Sequence, residues 1–252
     1  MQRHPDNPNL YLLNTPYWKG LPLSEGTGTY VREYVDRVIE VLADANVRYA
    51  RLCVVRFDLH FPQGLERPDP GAISRFFHRL QREIDNDLGS RSRRHHCQIA
   101  YVWAAERHRS TMQHYHVTLF LNKDAYYSLG RYPSIGFDFN FAPDAGSGLA
   151  HCIVRAWAHA LRFRPSEILG CVYFARNGVY HLDRNSSAWG TQVRAAWQRV
   201  KYLAKARTKE YGAGYRCFGS SRTPYRPEAE LMGLLPVPEG AYGESLVESF
   251  GD

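Results

Sequence analysis

Residues 114–122 read HYHVTLFLN, and the side chains in that run alternate with a period of two. As a strand, it turns Tyr115, Val117, Leu119 and Leu121 to one face and His114, His116, Thr118 and Phe120 to the other. The first face is wholly apolar, so the chain must build a sheet and cover that face with other elements. The second face opens with two imidazoles. A strand covered on both faces ordinarily carries apolar side chains on both, so polar residues here mark a functional or solvated surface.

The flanking sequence supplies a partner strand. Residues 97–106, CQIAYVWAAE, form a second β-rich run, and the polar connection RHRSTMQ between the two has the length of a hairpin loop. In this strand Glu106 shares the parity of Ala100, Val102 and Ala104, whose small side chains leave space above the surface. The hairpin is expected to bring Glu106 beside the two histidines.

Helical spacing recurs at 29–45 (Val31, Tyr34, Val35, Val38, Val41, Leu42) and at 73–88 (Ile73, Phe76, Phe77, Leu80, Ile84, Leu88). A β-rich run lies at about 49–61 and ends at Pro62. Further on, a short helix is predicted near 123–130, a loop over 131–148 and a helix over 149–162. A second hairpin is predicted over 170–182, turning at Asn177-Gly178, followed by a long helix over 187–209. This order of elements predicts an α+β layer fold around a mostly antiparallel sheet. The expected organisation is an arm (1–28) laid on one domain (29–226), then an acidic Pro/Gly/Glu tail (227–252).

Charge is distributed unevenly. Residues 151–226 hold 14 Lys and Arg against 3 Asp and Glu, whereas 227–252 hold none against 6. A polyanion with closely spaced phosphates suits the basic segment, because neutralising phosphates releases condensed counterions. The five cysteines are scattered, form no C-x-x-C pair and suit small core positions, not a disulfide framework or a zinc knuckle. The N-terminus lacks a signal-peptide pattern and no window has membrane-spanning length, so a cytosolic protein without membrane contact is expected.

Two imidazoles on one strand face can meet one divalent ion, and a carboxylate from the neighbouring strand adds a hard oxygen ligand. Three ligands leave coordination positions open for a phosphate oxygen. With no nearby soft ligand to close a tetrahedron, His114, His116 and Glu106 favour Mg²⁺ or Mn²⁺ over structural zinc. Tyr202 and Lys205 are three residues apart and share a face on the predicted helix, with Lys209 one turn further. A free phenol, with a pKa of about 10, needs a cation or an activated phosphate to act as a nucleophile near neutral pH. Arg199, Lys201, Arg207 and Lys209, with Arg91, Arg93 and Arg94 of the SRSRRHH loop, are expected to hold a DNA backbone. Exposed aromatics would stack its bases.

The order Glu…His-Tyr-His followed by Tyr-Leu-Ala-Lys resembles the HUH endonucleases, the rolling-circle replication initiators of phages and plasmids. Over roughly 50–220, RFDLHFP (56–62), HYHVTLFLNKDAYYSLG (114–130) and VKYLAKARTK (200–209) are similar to the inovirus-type initiators of filamentous phages and prophages. The resemblance implies a five-stranded antiparallel sheet flanked by helices, with His114 and His116 as the metal pair. It further implies Glu106 as third ligand, Tyr202 as nucleophile and Lys205 as its neighbour. It departs from the isometric-phage initiators, which carry a second tyrosine one turn later, where this chain has Ala206; Tyr211 is the nearby substitute.

Three functions follow as expectations. The first is a metal-dependent nickase and strand-transferase working in a bacterial cytoplasm on single-stranded or hairpin origin DNA through a 5′-phosphotyrosine. No P-loop is present, so a host helicase would unwind and a host polymerase extend. The second is a metal-independent two-histidine phosphoesterase, with His116-Val117-Thr118 as one half and His108-Arg109-Ser110 as an imperfect other. The third is a non-catalytic DNA-binding regulator, for which the basic segment suffices.

Overall fold

The computed structural model describes residues 2–23, 28–64, 69–91, 95–107, 113–132, 142, 145–207, 209, 211 and 214–224. In chain order the elements are β1 (Gln2–His4), β2 (Asn7–Leu13), β3 (Tyr17–Trp18), β4 (Leu21–Pro22), β5 (Tyr30–Val31), α1 (Arg32–Arg48), β6 (Arg51–His60) and α2 (Ala72–Ser90). They continue as β7 (Ala100–Glu106), β8 (His114–Asn122), α3 (Leu149–Leu161), β9 (Val172–Asp183), α4 (Trp189–Val200) and β10 (Phe218–Ser220). Short 3₁₀ turns occupy Pro165–Ile168 and Lys201–Ala204.

Five strands form the central sheet in the order β10-β7-β8-β6-β9, every neighbouring pair antiparallel. The expected α+β architecture with a five-stranded antiparallel sheet is the one observed. Each sheet face has its own core. Tyr115, Val117, Leu119 and Leu121 of β8 pack with Val55 and Phe57 of β6 against Phe76 of α2 and Trp157 of α3. On the reverse face Leu52, Val54, Ala100, Val102, Ala104 and Phe120 pack with Val38 and Leu42 of α1 and Trp197 of α4. That second face is apolar for about half its length. Towards the other end of the same strands it carries Arg56, Asp58 and His60 on β6, and Thr118, His116 and His114 on β8.

Several expectations need correction. The first 28 residues are more than an arm: β1 and β2 form a three-stranded sheet with β5, and Leu10, Leu13, Leu21 and Leu23 are buried. Because Tyr30 and Val31 pair with β2, the first helix starts at Arg32 instead of 29. Residues 123–130 form no helix: 123–125 are a turn, in which the Asn122 carbonyl accepts from the N–H groups of both Ala125 and Tyr126 and its side chain accepts from Asp124 N–H, and an irregular path follows. The predicted hairpin at 170–182 is one continuous strand, β9. Asn177, with φ of 55°, forms a bulge where the register against β6 shifts between Val55 and Phe57. An Asn-Gly pair satisfies the backbone of a bulge as well as that of a turn, and pairing of both halves with β6 selects the bulge.

The long basic helix predicted over 187–209 ends at Val200, and Tyr202 lies on the 3₁₀ turn that follows. The N-terminal segment captures the chain there: Lys201 Nζ donates to the carbonyls of Pro22 and Leu23, Ala206 N–H donates to Thr29 O, and Tyr30 bridges Lys205. Among the described residues no helix is long and apolar enough to cross a membrane.

Candidate active site

The hairpin register sets Glu106 directly opposite His114, and Ala104 opposite His116. On the other side of β8, β6 sets His60 opposite His114 and Asp58 opposite His116. Three polar side chains from the two flanking strands, Glu106, His60 and Asp58, therefore surround the two imidazoles, on the sheet face shared with α1 and α4.

His114 Nε2 lies 3.3 Å from His116 Nε2, which lies 3.1 Å from Glu106 Oε2. One ligand atom from each of Glu106, His114 and His116 falls within 4.8 Å of the others, the one such trio among the described residues. Asp58 accepts a hydrogen bond from His116 Nδ1 at 2.8 Å, and the Arg56 guanidinium contacts the same carboxylate oxygen. His60 stacks on His114 with ring centroids 5.0 Å apart.

The donor set fits a divalent cation. A carboxylate only accepts, so Asp58 holds the Nδ1–H of His116 and directs Nε2 into the trio. Glu106 is 4 % exposed, and a carboxylate that deep requires a cation or donors beside it. Burial depresses His114 to about 4, aided by the charges of His116 and His60, so its ring is neutral at physiological pH and able to ligate. Burial also opposes charge on His116, but the hydrogen bonds to Asp58 and Glu106 outweigh it and raise that ring above its ordinary value. Burial pushes the Asp58 carboxyl up, while His116 and Arg56 pull it down to about 2.

Tyr202 completes the cluster. Its ring stands edge-on to His116 with centroids 5.7 Å apart, and it is 36 % exposed, so the phenol borders both the trio and solvent. Lys205 Nζ lies over the Tyr202 ring, 4.7 Å from its centroid, which places a cation beside the phenol without a helix to align them. Burial raises the Tyr202 pKa, as do the negative charges of Glu106 and Asp58, while Arg56 and Arg207 oppose them. Tyr211 is placed elsewhere: its ring packs on His4 at 4.2 Å and its buried hydroxyl faces Tyr34 and Cys217.

The cations expected to hold DNA divide into groups. Arg199 and Arg207 are exposed near the tyrosine turn, Arg199 donating to Tyr180 Oη. Lys201 is buried and engaged by Pro22 and Leu23, so it is an internal anchor and not a DNA contact. Lys209 also needs correction: its side chain is wholly buried, donates to Lys205 O at 2.6 Å and lies 3.7 Å from Glu106 Oε1. Burial lowers its ammonium to about 8 against the pull of Glu106. Arg91 ends α2, on the opposite sheet face, in an ion pair with buried Asp87 at 2.7 Å. Arg93, Arg94 and the acidic tail lie outside the described residues, as does His108-Arg109-Ser110, the proposed second half of a two-histidine motif.

Asp58 and His60 were missed from the sequence. The signal was present: in RFDLHFP they have the parity of Arg56, so once the run is read as a strand beside 114–122 both face the histidine pair.

Among curated proteins the chain is similar to two from Escherichia coli (strain K12), each named as uncharacterized. YagK is 34 % identical over 212 residues, covering 79 % of this chain and 97 % of the relative. YfjJ is 32 % identical over 210 residues, covering 77 % and 96 %. No solved structure matches. The family model described as the YagK/YfjJ C-terminal domain matches residues 14–221, and the chain accordingly belongs to that family.

Proposed function

We propose that this protein is a metal-dependent DNA nicking and joining enzyme of the HUH type that initiates rolling-circle replication. The observation that carries the reading is the placement of one half-exposed phenol edge-on to a Glu/His/His trio. A divalent ion, Mg²⁺ or Mn²⁺, held by His114, His116 and Glu106 would polarise a phosphodiester oxygen and offset the charge that gathers on phosphorus.

The protein's own groups do the rest. Asp58 fixes the orientation of His116, and buried Lys209 balances the charge of Glu106. Tyr202 Oη forms the new bond to phosphorus as the 3′-oxygen departs, and the phenol proton ends on that oxygen. The products are a 5′-phosphotyrosine and a free 3′-hydroxyl that a host polymerase can extend. Lys205 contributes positive charge beside the reacting oxygen. The phosphotyrosyl bond conserves the energy of the linkage, so rejoining needs no nucleotide. Arg207, close enough to act on the Tyr202 phenol, and the exposed Arg199 suit the backbone of single-stranded or hairpin origin DNA. With Ala206 where a second tyrosine would stand and the Tyr211 hydroxyl buried, each subunit performs one cleavage per cycle.

The test is a denaturing gel of protein, Mn²⁺ and end-labelled single-stranded origin DNA. A covalent adduct is expected with the natural chain and none with Tyr202→Phe or with excess chelator. An adduct that persists in Tyr202→Phe removes the assigned nucleophile, and one that forms in chelator favours metal-free chemistry.

A further inference from the structure

Beside the two histidines the fold leaves a cleft of about 770 Å³. It is lined from the sheet by His60 and His114, from the residue before β8 by Gln113, and from the segment that leads into β9 by Glu167, Leu169 and Cys171. Ligand pockets of several hundred Å³ take small organic groups, and this one opens beside a candidate metal ligand. Anything bound here neighbours the position where a phosphodiester would react.

The lining is suited to one unpaired nucleobase. Aromatic rings provide a face for stacking, and here two imidazoles are already stacked and held. The backbone that carries the His60 ring is anchored, its amide N–H donating to Cys171 O at 2.7 Å and its carbonyl accepting from Trp157 Nε1 at 2.8 Å. The edge of a base is read by paired donors and acceptors. Gln113, which is 6 % exposed, brings a carboxamide with both, and Glu167 brings an acceptor. Two acceptor-bearing side chains match a base with an exocyclic amine better than one whose edge offers carbonyls.

We infer that this cleft receives a single base next to the scissile phosphate, stacks it against the imidazole pair and selects adenine or cytosine over thymine through Gln113 and Glu167. The inference rests on the nicking reading for its substrate, single-stranded DNA. It concerns how sequence is chosen and not how the bond is cut.

Binding measured without chemistry separates the two. Fluorescence anisotropy of labelled oligo-dA, oligo-dC and oligo-dT with the full chain in chelator should show oligo-dA or oligo-dC bound about tenfold more tightly than oligo-dT, the scale of one well-placed carboxamide pair. Gln113→Leu should bring the three affinities together while leaving the salt dependence unchanged, because phosphate contacts are untouched. Leu169→Trp, at an exposed rim position that cannot unfold the core, should narrow the cleft and weaken the preferred oligomer selectively. Equal affinities in the natural chain, a thymine preference, or discrimination that survives both substitutions would each overturn the cleft assignment. Discrimination without any adduct in Mn²⁺ would leave the cleft standing and remove the nickase; an adduct without discrimination does the reverse.

Discussion

At His116 the two ring nitrogens have different partners, and the difference sets how a cation competes for the site. Nδ1 donates to Asp58, while Nε2 faces Glu106 and His114. Since both carboxylates favour the imidazolium, the metal-free ring keeps its proton on Nε2 to a higher pH than an ordinary imidazole, in the direction a ligand atom must offer to an ion. Binding therefore releases that proton. Below the raised pKa of His116, Mn²⁺ affinity should fall about tenfold per pH unit, and below about 4, where His114 also charges, more steeply. Titration calorimetry across buffers of different ionisation enthalpy counts the protons; a flat profile between neutral pH and 4 would show that His116 is not a ligand. Asp58→Asn removes the anion that orients the ring and should weaken Mn²⁺ binding by about 10–100-fold with the thermal midpoint as control. At this scale the grouping of Glu106, His114 and His116 was legible, because period-two spacing and one hairpin suffice to place it. Asp58 and His60 required the further knowledge that β6 is the neighbour of β8, and the burial of Lys209 under Glu106 follows from tertiary packing that no local pattern reports.

Among the elements, β9 and the tyrosine turn show where local pattern yields to packing. Asn177-Gly178 has the composition of a tight turn, yet pairing with β6 on both sides of it recovers more backbone hydrogen bonds than reversing the chain would. The bulge then makes Gly178 obligatory for a steric reason. A Cβ at that position would stand 2.7 Å from Arg56 O and 2.8 Å from Ala175 O, both backbone atoms that cannot swing aside. Gly178→Val should cost about 1–3 kcal/mol, read as a lower urea midpoint at unchanged slope. Because Arg56 is the bulge's neighbour and contacts Asp58, the same variant should also weaken Mn²⁺ binding. A variant with the natural midpoint would refute the close approach. The end of α4 at Val200 was illegible for a related reason: 201–207 has the composition of a good helix former, and the carbonyls of Pro22, Leu23 and Thr29, brought from the other end of the chain, hold Lys201 and Ala206 in another path.

Across the whole molecule, those contacts divide the candidate site between two structural units. The trio stands on β7 and β8 in the middle of the sheet, whereas Tyr202 stands on a turn secured by the N-terminal strands. The charge asymmetry of the sequence marked the second unit as basic but could not show that two of its lysines, Lys201 and Lys209, are turned inward. Nor could composition show that the first residues fasten it. Deleting residues 1–23 would strip the Pro22 acceptor from Trp197 Nε1 and the Pro22 and Leu23 acceptors from Lys201 Nζ. Each such loss costs about 1–3 kcal/mol, more for the charged group, so a markedly lower thermal midpoint is expected. The sheet core of His114, His116 and Glu106 does not depend on those contacts. At a temperature where circular dichroism shows the truncated chain folded, Mn²⁺ affinity should persist, while adduct formation should drop by roughly a hundredfold as the phenol loses its position. Parallel calorimetry and adduct gels decide it: if ion binding and adduct formation decline together, the N-terminal strands support the sheet as a whole and not the tyrosine turn in particular.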